Sequence, residues 1–401
     1  MRLHLAAAVA ILTLAGATAQ PASNSSADRL QVPQTGAKAD QVKRTLGRIK
    51  MPPGFHISLY ALVPNARHIA VGPQGLATFV GTPHSKVWVV TDASRRGIAD
   101  EVREFAPAQP KKIPNGVCFS SDGFLYIAEQ NRVMEYAAAE SFHETPRVVV
   151  PEGELIPGSE ESSAHNTRVC RVGPDNKLYI QLGQPYNVPP KEKPDLYRKL
   201  GIGGIIRMDR DGKNREVYAT GLRNPVGMDF NPRDQSLWTN DNQVDGMGDD
   251  IPPGEMNRIS APGQDFGFPW YGGGHTRTNE YRKDTPPPDV VFPDVEQVAH
   301  AADLGLVFYT GNMFPRNYQG AIFSTQHGSW NRSVPIGVRV MVTFLKEDGH
   351  AAGPSKPFAE GWNDKGNYLG RPVDVAQLPD GSLLVSDDLV GALYRIWYDG
   401  K

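Results

Sequence analysis

The chain has 401 residues, a formal net charge of −2 at pH 7 and 21% charged residues. This balance offers no basic surface for nucleic acid, and beyond the N-terminus no apolar segment is long enough to cross a membrane, so we expect a small-molecule ligand. Its 41 glycines and 34 prolines exceed what helix interiors accept, which favours an all-β protein.

The N-terminus predicts export. Residues 1–19 place a basic residue before a short apolar run and end in small residues at Ala19, which is the pattern of a signal peptide cleaved before Gln20. A retained membrane anchor is the alternative, although the run is short for a bilayer span. Residues 20–48, rich in Ser, Ala, Gln and Lys, predict a flexible leader. The folded domain is then residues 49–401 of a periplasmic or secreted protein without stable membrane insertion.

One pattern recurs six times along the folded part: a polar residue, a short apolar strand, a tight turn of the Pro-Asp-Gly type, a second strand, a break and a third strand. The copies begin at Ala66, Pro114, His165, Arg223, about Leu304 and Arg371. One such sheet cannot bury both faces alone, so the units must stack, and radial closure protects their edges. The sequence therefore predicts a six-bladed β-propeller with four-stranded antiparallel blades.

The two cysteines, Cys118 and Cys170, lie in apolar stretches. An oxidising compartment would permit one bridge. Each cysteine nevertheless lies at a different distance from the Asp of the turn that follows it, which favours two buried and unpaired thiols. No CxxCH sequence occurs, so the chain carries no covalent haem of its own.

The residues just before the first strand of each repeat share one position. In a propeller that strand lines the central channel, so these residues meet at its mouth; they are Arg67, Asn115, His165, Arg223 with Asn224, and Arg371. Taken singly, each arginine is expected to pair with a surface carboxylate, and the histidine to be an ordinary core or surface residue. Convergence on one axis instead predicts a ligand with several carboxylates, because like charges repel at close range.

Several motifs occur together and in order: GLRNPVGMDFNP, DNQVDGMGDDIPPGEMNRI, GQDFGFPWYGGG, QHGSWNRS and GRPVDVAQLPDGSLLVSDD. From about Met51 to Tyr398 the chain resembles the sorbosone and aldose dehydrogenase branch of the soluble sugar dehydrogenases that depend on pyrroloquinoline quinone (PQQ). The resemblance implies an oxidoreductase that uses PQQ and calcium to oxidise an aldose sugar or a sorbosone-like aldehyde by hydride transfer to the quinone. An external cytochrome or quinone carrier would accept the electrons.

The same resemblance implies roles for individual residues. His165 matches the catalytic base that takes the proton of the anomeric hydroxyl, and Arg223 matches the arginine beside the quinone oxygen where negative charge grows. The residues expected to bind the cofactor are Arg67, Asn224, His327, Asn331, Arg332 and Arg371. His327 stands where glucose-oxidising members have a lysine. Gln184 stands where some members have an aspartate, so the base is expected to be oriented differently.

Calcium in the resembled family is held by cofactor atoms, water and two main-chain carbonyls, which correspond to Gln243 and Val244. The acidic loop 241–255 has two further interpretations, a side-chain calcium site or a solvated loop. Trp270 and Tyr271 are candidates for stacking on the cofactor or sugar, and equally for core packing.

Two other functions compete with the dehydrogenase. A calcium-dependent lactonase on the same fold would hold its metal with side-chain carboxylates and amides, whereas the residues at the channel mouth here are cationic. A propeller that binds a glycan or a protein without catalysis is the third hypothesis, because propellers host many functions.

Overall fold

The computed structural model describes residues 30–401 and confirms a six-bladed β-propeller in which each blade is a four-stranded antiparallel sheet. From the axis outwards, the strands of the first three blades are Ile69–Val71, Thr78–Val80, Trp88–Thr91 and Glu101–Glu104 in blade 1; Gly116–Phe119, Leu125–Ala128, Val133–Tyr136 and Pro146–Val150 in blade 2; and Val169–Val172, Leu178–Leu182, Gly204–Met208 and Glu216–Thr220 in blade 3. In the same order, the strands of the other three are Pro225–Phe230, Leu237–Asp241, Gly254–Ile259 and Val295–Gln297 in blade 4; Asp303–Phe308, Ile322–Gln326, Arg339–Thr343 and Lys356–Glu360 in blade 5; and Pro372–Gln377, Leu383–Asp387, Ala392–Tyr398 and Phe55–Leu62 in blade 6.

The ring closes by joining the two ends of the folded chain. Phe55–Leu62, the first long strand, pairs with Ala392–Tyr398, the last one, and completes blade 6. The inner strands of successive blades contact one another all round the axis. No blade is left with an open inner edge, and closure brings the six inner-strand starts to one end of the channel.

The core lies between blades rather than at one centre. In residues 30–401 six apolar clusters fill the six interfaces between successive blades. A middle strand is therefore covered on both faces, as in Leu383–Asp387, where all five residues are buried. The turn before it needs a glycine: Gly381 has a φ of +87°, and the Asp380 carboxylate accepts the hydroxyl proton of Ser382 at 2.6 Å.

Few other elements interrupt the sheets. They are the helices Ala37–Leu46 and Pro194–Leu200, the 3-10 turns Ala139–Ser141, Gly158–Glu160 and Arg316–Tyr318, the strand pairs Tyr271–Gly273 with Thr276–Arg277 and Asn363–Asp364 with Asn367–Tyr368, and the strand Gln264–Asp265, which runs parallel to the edge of blade 3. Within the described part of the chain, no helix is both long and apolar enough to traverse a bilayer.

The segment predicted to be a flexible leader is in part a packed helix. The signal peptide 1–19 and the first residues of the leader lie outside the described residues, but Ala37–Leu46 is helical. Its residues Ala39, Val42 and Leu46 are buried in the cluster between blades 5 and 6. Their i, i+3, i+7 spacing is the helical signal that the polar composition of the segment conceals. The ordered chain therefore begins before residue 49.

The prediction of unpaired thiols is wrong, because Cys118 and Cys170 form a disulfide with their Cα atoms 5.7 Å apart. Cys118 lies on the inner strand of blade 2 and Cys170 on that of blade 3, and these strands are neighbours. The different offsets from the following turns do not matter, because adjacent blades are staggered and the bond depends on spatial alignment across their interface.

Loss of this bond should destabilise the propeller, because it closes a loop of 52 residues in the unfolded chain. We expect the double variant Cys118→Ala, Cys170→Ala to lose about 4 kcal/mol of unfolding free energy, measured by guanidinium denaturation. Reduced wild-type protein, which keeps both sulfur atoms in place, is the control for lost packing. Equal stability of oxidised and reduced wild-type protein would contradict the expectation.

Candidate active site

A cavity of about 230 Å³ opens at the end of the axis where the inner strands begin. Eight of the ten residues predicted as site residues line it: Arg67, His165, Arg223, Asn224, Gln243, His327, Asn331 and Arg371. The two predicted residues that do not line it are Arg332 and Val244. The repeat argument therefore brings the channel-mouth residues of blades 1, 3, 4 and 6 into one site. The equivalent residue of blade 2, Asn115, does not line the cavity; its side chain accepts from Arg67 at 3.1 Å and donates to the Arg168 carbonyl at 2.7 Å.

His165 is held as a neutral ring with one free nitrogen. Its Nδ1 lies 2.6 Å from the main-chain oxygen of Gln184, so Nδ1 carries the proton and donates it. Burial, followed by the charge of Arg223, lowers the pKa of His165 to about 4. The other nitrogen, Nε2, is left as an unprotonated acceptor in the cavity. The ring of His165 is therefore oriented by the main-chain carbonyl of Gln184 and not by a side-chain carboxylate.

The backbone around His165 is also fixed. The residue adopts a φ of +50°, a left-handed conformation that costs energy for a residue with a side chain. The buried guanidinium of Arg168 donates to the His165 carbonyl at 3.0 Å and to that of Gln130 at 3.0 Å. Gly183 leaves room beside it, since a Cβ there would lie 2.7 Å from the His165 Cβ and 2.6 Å from the Asn224 Oδ1.

Arg223 is buried, with 3% of its surface exposed, and almost fully bonded. Its guanidinium donates to Asp245 Oδ2 at 2.9 Å, to Asn187 Oδ1 at 2.8 Å and to the carbonyls of Asn187 and Asn242 at 3.0 and 3.1 Å. Burial lowers its pKa from the ordinary arginine value, and Asp245 opposes that shift. The side chain is therefore a fixed cation beside His165.

The arginines of blades 4 and 6 are positioned by the same device. In both of these blades, a buried aspartate at the end of the second strand accepts hydrogen bonds from main-chain N–H groups near the start of the inner strand. Asp241 binds those of Arg223 and Asn224 at 2.9 and 2.7 Å, and Asp387 binds that of Arg371 at 2.8 Å. Burial raises the pKa of Asp387 to about 6, and burial raises that of Asp241 as well.

Asp388 links the cationic groups on the opposite side of the cavity. It accepts from Arg67 Nη1 at 2.7 Å and from His327 Nε2 at 2.8 Å. Although burial opposes ionisation, hydrogen bonding and the charges of His327, Arg67 and Arg371 lower the pKa of Asp388 to about 2. The Asp388 carboxylate therefore neutralises the charge of Arg67 and accepts the Nε2 proton of His327, so this nitrogen is already bonded.

Arg371 is the arginine of the cavity that forms no ion pair within residues 30–401, although the charge of Asp388 acts on it at longer range. Its guanidinium donates to the carbonyls of His327 and Gly328 at 2.9 and 3.1 Å. No carboxylate among residues 30–401 lies within ion-pair distance of it. Half-buried in the cavity wall, it offers its charge to an incoming anion.

Two buried amide oxygens point to a polar ligand as well. The Oδ1 atoms of Asn224 and Asn331 have no hydrogen-bond partner in the described part of the chain, and both residues line the cavity. The Nδ2 atom of Asn331 is fixed by Asp245 Oδ1 at 2.7 Å. Buried polar atoms without partners are rare because each costs free energy, so these two oxygens are acceptors prepared for a donor that the chain does not supply.

The predicted calcium ligands lie on the loop after blade 4's second strand. Gln243 lines the cavity, and its side chain donates to Asp241 Oδ2 at 2.8 Å. Val244 is buried and donates its N–H to the Gly272 carbonyl at 3.0 Å. Neither main-chain oxygen accepts a hydrogen bond from any residue in 30–401, so both remain available to a cation.

Arg332 points away from the cavity. It donates to Asp250 Oδ1 at 3.0 Å and contacts the Asp249 carbonyl, while Ser333 donates its N–H to Asp249 at 3.1 Å. The acidic loop is thereby tied to the neighbouring loop of blade 5. Of its carboxylates, those of Asp241 and Glu255 lie opposite each other, buried on neighbouring strands of blade 4, but no group of three or more candidate metal ligands occurs among the described residues.

The two aromatic candidates are also outside the cavity. Trp270 packs against Tyr281, with ring centroids 5.5 Å apart, and beneath Arg198. Tyr271 packs against Phe292, with centroids 5.1 Å apart. Both rings support a loop beside blade 4, which is the core-packing alternative.

Sequence reasoning missed four residues of the site: Asn187, Asp245, His300 and Asp388. His300 lines the cavity, donates from Nε2 to the carbonyls of Gly248 and Ile251 and accepts from Asn331 Nδ2 at 3.2 Å. Asp388 could have been found from the SDD triplet at the end of the second strand of blade 6. Asp387, the residue before it, occupies the same repeat position as Asp241 in blade 4. The other three lie on loops without a repeat position.

The fold and the cavity together define a propeller with an arginine-lined axial site. The chain belongs to the glucose/sorbosone dehydrogenase family, whose model matches residues 153–327. It is 30% identical to an uncharacterized protein of Borreliella burgdorferi over 378 residues, which cover 90% of this chain and 93% of that protein. It is 28% identical to the aldose sugar dehydrogenase YliI of Escherichia coli over 237 residues, covering 55% and 56% of the two chains. The fold resembles the holo form of the PQQ domain of pyranose dehydrogenase from Coprinopsis cinerea, with a TM-score of 0.72, 18% identity and coverage of 87% and 97%.

Removal of the charge of Asp388 should destabilise the folded chain in a pH-dependent way. Its folded pKa is about 2, below the ordinary value near 4, so its contribution is present above pH ~4 and is lost as the pH falls through 2. We expect Asp388→Asn to cost about 3 kcal/mol at pH 7 and progressively less towards pH 2, by denaturant unfolding at each pH. The control Asp250→Asn removes an exposed ion pair and should cost less than about 0.5 kcal/mol. A loss for Asp388→Asn that did not vary with pH would contradict the assignment.

Proposed function

We propose that the protein is a PQQ- and calcium-dependent oxidoreductase that oxidises an aldose sugar or a related aldehyde and passes the electrons to an external acceptor. The observation that carries the proposal is the presence, in one cavity, of His165, whose Nε2 has no partner among residues 30–401, and of Arg371, which forms no ion pair there. The first is suited to removing a proton from a substrate hydroxyl, and the second to retaining an anion.

The residues present fit a flat anion with several carboxylates. Arg371 and Arg67 would bind its carboxylates, and the orphan oxygens of Asn224 and Asn331 would accept its N–H or water-mediated bonds. When bound, the quinone supplies the two-electron acceptor that amino-acid side chains lack. His327 acts through Asp388 rather than by its own Nε2, because that nitrogen is already bonded.

The main-chain oxygens of Gln243 and Val244 would hold calcium. A hard cation accepts carbonyl ligands in flexible geometry, which suits a loop whose two oxygens have no other partner among the described residues. The side chain of Gln243 and the N–H of Val244 are both bonded, so the loop conformation is fixed before the ion arrives.

His165 then acts as the general base. Its Nε2 accepts the proton of the anomeric hydroxyl, while the Nδ1 bond to the Gln184 carbonyl stabilises the charge that the ring acquires. Burial is the main cause of the low pKa of His165, and a bound anion near Arg223 would offset the repulsion that lowers this pKa further. Arg223 cannot turn away, because Asp245 and Asn187 hold it.

A lactonase of the calcium type is less compatible with this cavity. Such a metal needs several side-chain oxygens, and within residues 30–401 no such group is assembled. The disulfide supports the predicted periplasmic or secreted location, since such bonds persist in oxidising compartments.

Reconstitution tests the cofactor assignment. Purified protein should bind PQQ in the presence of calcium, by calorimetric titration, and then oxidise aldoses with an artificial electron acceptor. We expect Arg371→Gln to weaken PQQ binding about tenfold or more, because it removes a charge-assisted hydrogen bond. Arg48→Gln, whose arginine is exposed and paired with Asp364, should bind as the wild type does. Failure of wild-type protein to bind PQQ at micromolar concentration would exclude the proposal.

Substitution of the base separates chemistry from binding. His165→Ala should lower kcat about a hundredfold or more and leave the affinity for PQQ within a few-fold of the wild-type value. His275→Ala, at an exposed histidine outside the cavity, is the matched control and should retain full turnover. Near-normal sugar oxidation by His165→Ala with bound PQQ would show that another group takes the proton.

A further inference from the structure

Trp330 stands at the rim of the cavity with most of its surface in solvent. It lines the cavity, yet 76% of its surface is exposed. All six tryptophans of the chain lie within residues 30–401, and among them Trp330 alone is exposed. A large apolar side chain left in water at a cavity mouth marks a contact surface, because burying it would be favourable.

The loop that carries Trp330 is held rigidly on both sides of it. On one side, Ser329 donates its N–H to the Ile336 carbonyl at 3.0 Å, and the Tyr368 hydroxyl lies 2.9 Å from the Ser329 carbonyl. On the other side, Asn331 donates to Asp245 Oδ1 at 2.7 Å. The indole is therefore presented by a fixed backbone, and its exposure does not come from a loose loop.

The chemistry of the rim fits a carbohydrate. A sugar ring has an apolar C–H face that packs on an aromatic ring, and hydroxyl groups that bond to neighbouring polar groups. Asn331, which follows Trp330 in the chain, lines the cavity, and its Oδ1 has no partner among the described residues; a sugar hydroxyl, like a cofactor N–H, is a suitable donor to it. Aromatic side chains combine a large apolar area with a fixed orientation.

The exposure also bears on the length of the ligand. Trp330 lines the cavity that contains His165, and most of its surface nevertheless lies in solvent. A ligand that occupies the cavity and extends outwards past Trp330 would cover this exposed surface.

We propose that Trp330 is the platform of a second sugar subsite, so that the enzyme acts preferentially on the reducing end of disaccharides and longer oligosaccharides. This inference rests on the proposed oxidation of aldoses. The unit to be oxidised lies at His165, and the adjoining unit packs on the indole at the rim.

Steady-state kinetics of the holoenzyme test the subsite, with glucose compared with maltose and cellobiose. We expect Trp330→Ala to lower the ratio of kcat/KM for the disaccharides to that for glucose about tenfold, and Trp330→Phe to retain most of it. Val334→Ala changes an exposed residue of the same loop that does not line the cavity, and should leave the ratio unchanged. An unchanged ratio in Trp330→Ala overturns the inference, and so does an altered KM for the electron acceptor alone, which would assign the indole to acceptor docking.

A binding assay decides the matter without turnover. Iodide quenches exposed tryptophans, so the wild-type emission that iodide quenches and that is lost in Trp330→Phe belongs to Trp330. Cellobiose should protect this fraction from iodide at concentrations where glucose does not. Absence of protection overturns the subsite even if PQQ-dependent oxidation is found; protection without any oxidation supports the subsite and contradicts the proposed function instead.

Discussion

Repulsion among cations that share one cavity is the constraint on which the site depends. Arg67, Arg223 and Arg371 enter from blades 1, 4 and 6, and each would repel the others in a partly dry space. Asp245 compensates Arg223, and Asp388 compensates Arg67. Arg371 forms no ion pair within residues 30–401 and feels Asp388 only at longer range, so its guanidinium is the one best placed to pair with an incoming anion. The pairing is therefore selective, because it fixes two arginines directly and leaves the third without a bonded carboxylate.

The propeller fold brings these cavity residues together without long connecting loops. Inner strands begin at the same end of the axis, so a residue placed before the strand needs no long loop to reach the cavity. Asp241 and Asp387 are buried carboxylates that accept the N–H groups near the start of an inner strand, and their burial raises their pKa. The desolvation of these two carboxylates is the energetic cost of positioning the arginines. Blades 4 and 6 repeat the device at the same register, opposite the prolines that start the inner strands.

Much of this architecture could be predicted from the sequence, because repeat periodicity and turn residues are local signals. Six repeats predicted six blades, and the position before the inner strand predicted cavity residues in four of them, blades 1, 3, 4 and 6. What could not be predicted depends on distant segments meeting in space. The bond between Cys118 and Cys170 follows from the stagger of two blades, and the contact of Asp245 with Arg223 and Asn331 follows from loop conformation. The helix Ala37–Leu46 was not predicted because its residues are mostly polar, and only the spacing of Ala39, Val42 and Leu46 indicates a buried helical face.

The environment of His165 fixes the orientation of its ring and lowers its basicity together. The main-chain carbonyl of Gln184 accepts the Nδ1 proton, so within residues 30–401 the ring is oriented by a neutral acceptor and not by a carboxylate. Burial is the main cause of the lowered pKa of His165, and the charges of Arg223 and Arg168 lower it further, although Asp245 offsets part of the Arg223 charge. In the proposed dehydrogenase, a bound anion would offset the contribution of the arginines but not that of burial, so the anion alone would restore only part of the basicity of His165. The remaining part depends on how far the ring stays buried, which the left-handed backbone of His165 and the bond to Gln184 fix.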